Sequence, residues 1–172
     1  MGTLKEKLDA LPCSVFTKDD IHIRPICDDY DLWYAVVECR LAPGQEDLVN
    51  PAGFSIGRAY LHPESNIPCI IWHGNQRIGY IVLREWNGEE ATSWSYYLSH
   101  ESQGQGFGKA AAQLAIRILI AAAPTTPIKL SAEPANHKAR QLYTSLGFHH
   151  EGELDGDDLV FVYRKGLSHD LS

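Results

Sequence analysis

The sequence predicts an α/β domain of the α+β kind, with a mixed, mostly antiparallel sheet of six to seven strands flanked by about four helices. Three observations carry this. Residues 67–99 hold three apolar stretches in succession, separated by Gly74-Asn75 and Asn87-Gly88, the turn chemistry of an antiparallel meander. Residues 109–123 are almost wholly Ala, Leu and Ile apart from a stripe of Lys109, Gln113 and Arg117, so this helix must pack against a sheet. Phe148–Leu154 and Leu159–Lys165 close the chain as a hairpin around Asp155-Gly156.

In chain order, residues 1–19 read as an extra arm with a short helix through Leu4, Leu8 and Leu11 that stops at Pro12. Ile21–Ile26 alternates until Pro25, which suits a first strand at a sheet edge. Asp28 and Asp29 offer an N-cap for a helix carrying Leu32, Trp33, Val36 and Val37. Asn50-Pro51 starts a second helix, Asn as cap and Pro at the first helical position, running to about Leu61. Between them lies a loop, Leu41–Leu48, bearing two carboxylates. The meander strands are Ile67–His73, Arg77–Trp86 and Glu90–Ser99. Pro124 and Pro127 end the buried helix, Ile128–Ala132 makes a short strand, and Glu133-Pro134-Ala135-Asn136 opens a last helix. Ala139, Leu142 and Leu146 face the core from that helix, and Gly147 caps it.

With 172 residues the chain is expected to form a single domain, residues 1–172. Composition is that of an ordinary globular protein, at 44% hydrophobic and 22% charged residues. The net charge of −7 repels a nucleic-acid backbone and favours cationic partners. Cys13, Cys27, Cys39 and Cys69 form no CxxC pair, so neither a zinc knuckle nor a disulfide scaffold is expected and a reducing cytoplasm fits. The N-terminus lacks a signal-peptide core, and the longest apolar run, Ile118–Ala123, is too short to span a bilayer. No membrane association is expected. His149 and His150, adjacent on a strand, point to opposite faces and do not converge on one ion, and no metal is expected.

The chemistry centres on Ser102-Gln103-Gly104-Gln105-Gly106-Phe107-Gly108-Lys109, between a strand and the buried helix. Unpaired amides and the partial positive charge of a helix start make a glycine-rich entry a seat for phosphate. The spacing excludes a dinucleotide fingerprint, because the third glycine arrives one residue early. A phosphate-loop NTPase would need a glycine at Gln103 and a hydroxyl at Ala110. Left to themselves, such glycines also serve tight packing.

What remains is Gln-x-x-Gly-x-Gly, at Gln103, Gly106 and Gly108, followed by Asn136-x-x-Ala139-x-x-x-Tyr143-x-x-x-Gly147-Phe148. In this order and spacing the two motifs resemble those of the GNAT family, the Gcn5-related N-acetyltransferases that use acetyl-CoA, over roughly residues 20–165. The resemblance implies a GNAT fold with one splayed strand pair. It also implies pyrophosphate bound by the amides of Gln103, Gly104, Gln105, Gly106, Phe107, Gly108 and Lys109, and pantetheine along Tyr97, Leu98 and Ser99. The Leu98 amide would polarise the acetyl oxygen, Asn136 would touch pantetheine, and Tyr143 would protonate the departing sulfur. Asn136, Arg140 and Tyr143 lie at i, i+4 and i+7 and share a helix face, which places Arg140 with them. For the base, Glu133, His100 and Glu101 are candidates. Members often form homodimers.

For the acceptor, Arg40-Leu-Ala-Pro43-Gly-Gln45-Glu-Asp-Leu-Val49-Asn-Pro51, with Ser55, Ala59-Tyr60 and Pro68, is similar to bacterial spermine/spermidine acetyltransferases of the diamine type. That likeness implies a small-molecule polyamine acceptor, met by Gln45, Glu46 and Asp47, since paired carboxylates suit separated ammonium groups. The alternatives are acetylation of a protein N-terminus or lysine, acetylation of an aminoglycoside, or an acetyl-CoA-binding module without turnover.

Overall fold

The structure, a computed structural model, describes residues 2–48 and 50–166. Val49, part of the acceptor-side pattern, lies outside the described residues. Among the described residues there are eight strands and five α-helices, one or two strands and one helix beyond the sequence-based expectation. The strands are β1 (Thr17–Lys18), β2 (Ile21–Pro25), β3 (Asn66–His73), β4 (Gln76–Trp86), β5 (Ala91–Leu98), β6 (Ile128–Ala132), β7 (His149–Asp155) and β8 (Asp158–Tyr163). They form one sheet in the order β1-β2-β3-β4-β5-β6-β8-β7. Every neighbouring pair is antiparallel except β5 and β6.

That parallel pair is the feature on which the site depends. β5 and β6 meet only where Thr92 faces Ile128, and the Thr92 amide donates to Pro127 O at 2.9 Å. Beyond this point the strands part. The opened edge of β5 carries its backbone groups toward β6 with no strand to receive them.

The sheet divides the core by strand alternation. On one face Ile81, Leu83, Trp94 and Leu98 pack beneath α4 (Phe107–Ala122), whose Ala111, Ala112, Leu114, Ala115, Ile118 and Leu119 are buried. Lys109, Gln113 and Arg117 stay exposed, as their spacing predicts. The same face takes α1 (Leu4–Asp9), capped by a reciprocal Thr3–Glu6 box, through buried Leu4 and Leu8. On the other face Ile70, Tyr80, Val82 and Tyr97 pack with α2 (Asp29–Trp33), the turn of π-helix that continues it over Tyr34–Glu38, and α3 (Ala52–Leu61). No helix among the described residues is long and apolar enough to cross a membrane.

Several expectations need correction. Ile21–Pro25 is not the edge of the sheet, because Thr17–Lys18 pairs with it. Asp28 caps α2 as expected, its carboxylate accepting from Asp31 N at 2.8 Å. But Leu32, Trp33 and Val36 are exposed, and Tyr34, Ala35 and Cys39 supply the buried side. The widened turn at Tyr34–Glu38 shifts the helical phase, so a 3.6-residue reading picks the wrong face. At α3, Pro51 itself holds the cap position in an extended conformation, and Asn50 makes no capping bond. At the last helix, α5 (His137–Ser145), Asn136 is the N-cap rather than part of the first turn.

Gly79 shows how tightly β4 lies against β5. A Cβ there would stand 2.7 Å from Tyr97 O and 2.9 Å from the Leu98 side chain. Because the nearest atom is backbone, the Gly79→Ala protein should lose about 1–3 kcal/mol in denaturant unfolding, the usual cost of overpacking. Unchanged stability would mean that β5 yields freely at this point.

Candidate active site

The phosphate seat is built by backbone geometry. Gly104 and Gly106 take φ of +76° and +84°, left-handed conformations in which a side chain is strained. They turn the chain from the end of β5 into α4, with Gly106 at the N-cap. Among the described residues the amides of Gly104 through Lys109 find no acceptor. They lie at the positive end of a sixteen-residue helix. Gly108 is not required by packing, since a Cβ on it would meet Tyr96 Oη at 3.6 Å and Leu98 at 3.8 Å, ordinary contacts. The open space lies instead where Cβ atoms on Gly104 and Gly106 would stand, and with the free amides beside it the loop fits a bound diphosphate. Phe107 packs its ring on His73, centroids 4.6 Å apart, and Gln105 bonds Glu101 O at 3.1 Å.

Gln103 takes a different part from its neighbours. Its side-chain amide donates to Leu98 O at 3.2 Å and to Gln45 Oε1 at 3.0 Å. Gln45 Oε1 also accepts from Ala42 N at 3.2 Å, so this oxygen is already engaged within the protein. With His100 N donating to Arg40 O at 2.7 Å, the α2–α3 loop is stitched at two points to the segment leading into α4. Glu46 accepts from Gly44 N at 2.9 Å, and it and Asp47 are exposed.

At the splay, parity along β5 assigns the free groups. The Thr92 amide bonds toward β6 and the Ser99 amide toward β4, reaching Ile78 O at 2.9 Å. Leu98 has the parity of Thr92, so its amide points into the gap between β5 and β6. Ser99 is buried, its hydroxyl donating to Ser102 Oγ at 3.1 Å, so neither its amide nor its hydroxyl is free. The Tyr97 ring turns to the α2–α3 face, 5.8 Å from the Tyr80 ring.

Across the gap, α5 sets Tyr143 on the core. Its ring stands 5.6 Å from Phe161 and 6.0 Å from Phe148, and burial pushes its phenol up to about 12. Tyr96, which no motif pointed to, lies near enough for its hydroxyl to be raised by Tyr143 after the larger effect of burial. Tyr96 Oη donates to Gly108 O at 3.0 Å, tying β5 to the first turn of α4. Asn136 Oδ1 caps α5 by accepting from Ala139 N at 3.1 Å. Arg140 bonds back to Pro134 O at 2.8 Å. Glu133 is exposed, and its carbonyl receives Asn136 N at 2.9 Å. His100 and Glu101 are likewise exposed.

The α2–α3 face holds a cavity of about 220 Å³. It is lined by Ser55 and Arg58 of α3, Tyr80 and Arg84 of β4, and Ser95 and Tyr97 of β5, with Asp155 from the end of β7. The Ser55 and Tyr80 hydroxyls are hydrogen-bonded to each other. Arg84 is half-buried, and burial first, then Arg58, lowers its pKa against a smaller opposing effect of Asp155. No motif marks Arg58 or Arg84. A charge on a solvated helix face and one in a strand look unremarkable until folding brings them together.

The model of the "Acetyltransferase (GNAT) family" matches residues 31–148. Among solved structures, an acetyltransferase from Agrobacterium tumefaciens aligns at TM-score 0.67 and 17% identity, over 87% of this chain and 93% of that one. Spermidine N-acetyltransferase from Vibrio cholerae, solved with CoA and spermine, aligns at TM-score 0.67 and 18% identity, over 84% and 94%. A putative ribosomal-protein-serine acetyltransferase from Vibrio cholerae aligns at 0.66 and 16%, over 87% and 96%. At such identities these structures show a shared fold. No curated protein matches the chain. The family match takes in the splayed strands, the open amide row and all of α5, and on it the chain belongs to the GNAT family and is an acetyl-CoA-dependent acetyltransferase.

Proposed function

We propose that the protein transfers the acetyl group of acetyl-CoA to a primary amine by direct attack in a ternary complex. The observation that carries this is the run of free amides from Gly104 to Lys109, continued at the splay by the Leu98 amide, with Tyr143 of α5 close enough to Tyr96 of the same strand to raise its hydroxyl. The loop amides hold the pyrophosphate. The Leu98 amide stabilises charge on the thioester oxygen as the amine adds to the carbonyl carbon. When the C–S bond breaks, the thiolate, with an aqueous pKa of about 8.5, takes the Tyr143 proton, and the phenolate is reprotonated from solvent. Asn136 retains its side-chain NH₂ for pantetheine, because only its oxygen is engaged in the cap. An alkylamine of pKa about 10 reaches the site mostly protonated, so a base or water must take one proton before attack and a second from the nitrogen as the amide forms. Glu133, exposed at the end of β6, is assigned this role, with His100 and Glu101 as the competing residues.

The polyamine version of this reading draws on the residue 40–60 pattern, on the exposed Glu46 and Asp47, and on the likeness to the Vibrio spermidine enzyme. Gln45 contributes to it by holding the loop to Gln103 rather than through a free amide oxygen. Thiol release measured across spermidine, spermine, shorter diamines, amino acids, peptide N-termini and aminoglycosides tests it. CoA release with a polyamine well above the other amines is the expected result under that version. Tight acetyl-CoA binding without release for any amine would replace the catalytic reading with a binding module.

A further inference from the structure

The α2–α3 cavity has a charge pattern that a plain polyamine does not answer. Arg58 and Arg84 line it together and make no ion pair among the described residues. The interactions of Arg84 are a stack on Trp86, 5.3 Å from the ring centroid, and a 3.4 Å bond to Glu85 O. Neither neutralises it, and Asp155, the one carboxylate in the lining, acts on it less than Arg58 does, so two cations face one anion. Two guanidinium groups sharing a partly desolvated cavity repel one another, and an anion between them removes that repulsion while accepting paired N–H donors. Ser55 and Tyr80 are engaged with Ala52 O and each other, which leaves the Ser95 and Tyr97 hydroxyls as further donors along the same wall. The chain as a whole carries −7, so this basic spot is local and runs against the general field.

The cavity also has the right place relative to the chemistry. Ser95 and Tyr97 lie on its wall, and Tyr97 adjoins Leu98 at the splay. Arg84 faces Ser93 in the β4–β5 register, and its side chain shares the cavity with Ser95. From Ser95 to Leu98 is three residues, or roughly 10 Å of strand. A molecule entering from the α2–α3 face can therefore place one end at the splay while its other end rests against the arginines.

Resting on the acetyl-transfer reading above, we propose that the acceptor carries an anionic group, carboxylate or phosphate, roughly 7–10 Å from its reacting amine, and that Arg58 and Arg84 hold this group. Arg58 and Arg84 are specificity residues on this account and touch none of the reacting atoms. The acceptor class is then an ω-amino acid or an aminoalkyl phosphate, with Asp155 available to any second ammonium it bears.

Cadaverine, 6-aminohexanoate, free lysine and 5-aminopentyl phosphate separate the possibilities, since they share a comparable chain and differ in the anionic end. Wild-type kcat/KM should favour an anionic member over cadaverine by about tenfold or more, as expected for one charged hydrogen-bonded contact. The preferred anion identifies the carboxylate or the phosphate source. Arg58→Gln, at an exposed position, should raise KM for the anionic amine by a similar factor, leaving kcat and the use of cadaverine nearly unchanged. Arg84→Gln should do the same. Calorimetric titration of 6-aminohexanoate and of 5-aminopentyl phosphate into the CoA complex gives a readout independent of turnover. Binding that weakens in Arg58→Gln supports the proposal even if no amine is acetylated, a result that would sink the transfer reading alone. Cadaverine used as well as the anionic amines, absence of binding of both anionic amines to the wild-type CoA complex, or an equal loss for charged and plain amines in Arg58→Gln would overturn it.

Discussion

Tyr143→Phe should lower kcat about 10²–10³-fold, within the usual range for removal of a general acid, while leaving the affinity for acetyl-CoA close to wild type. The substitution is clean because the ring does the packing. It stands against Phe148 and Phe161, contacts a phenyl group keeps. Only the hydroxyl is lost. Burial pushes this phenol up to about 12, so at every pH below that value it is protonated and ready to donate. The pH profile follows with a definite sign. Wild-type kcat/KM rises with pH as the amine substrate loses its proton, and Tyr143 imposes no falling limb until pH approaches its own raised value. The variant should show the same rising limb at a lower plateau. An unchanged rate at all pH values would remove Tyr143 from the role of acid. A wild-type falling limb between pH 8 and 10 that vanished in the variant would show that the phenol ionises earlier than its burial allows.

The raised phenol has a consequence for how the step is driven. Moving a proton from a group near 12 to a thiolate near 8.5 is uphill if the two are compared in isolation. The transfer becomes possible as negative charge builds on the sulfur beside the hydroxyl. Tyr143 therefore acts late in the step rather than by prior ionisation.

The parts of the fold that could be read from the sequence are those set by local chemistry. Gly74 and the Asn87-Gly88 pair take left-handed φ at the turns of the meander, and Gly147 does so at the end of α5. Glycine and asparagine are chosen there for conformation, which leaves a mark in the sequence. The polar stripe of α4 was equally legible because one face meets solvent and the other a sheet. What escaped reading depends on distant pairing. Thr17–Lys18 is a two-residue strand with no pattern of its own, and it exists because Ile21 and His22 stand opposite it. The phase of Tyr34–Glu38 is set by a π-turn that periodicity does not encode.

The site divides along the same line. Gly104, Gly106 and Gly108 announce a backbone device, and the spacing of Asn136 and Tyr143 announces a helix beside it. Gln45 was legible as part of the acceptor-side pattern, but the contact that gives it a place, with Gln103, joins residues 58 positions apart. Arg58 and Arg84 sit on different elements with no motif between them. Donor-side chemistry is local and leaves a signature, whereas acceptor-side chemistry is assembled from separate elements.

Gly108→Ala should separate stability from cofactor binding by moving them in opposite directions. Gly108 lies in the first turn of α4 without the left-handed φ of Gly104 and Gly106, and its nearest neighbour to a new Cβ is 3.6 Å away. Alanine is the better helix former, so the folded protein should gain about 0.5–1 kcal/mol in thermal or denaturant unfolding. Were packing the reason for this glycine, the substitution would have to be destabilising instead. In the acetyl-CoA complex, however, a methyl group would stand against Tyr96 Oη and the Leu98 side chain, narrowing the approach from the splay to the free amides of Phe107, Gly108 and Lys109. Displacing the pyrophosphate from one or two charge-assisted bonds should raise the acetyl-CoA Kd by about 10–100-fold. The two effects are measured on the same sample, by unfolding without ligand and by titration with acetyl-CoA. A more stable protein with unimpaired binding would place the pyrophosphate elsewhere, because a ligand held by these amides must pass within reach of that methyl.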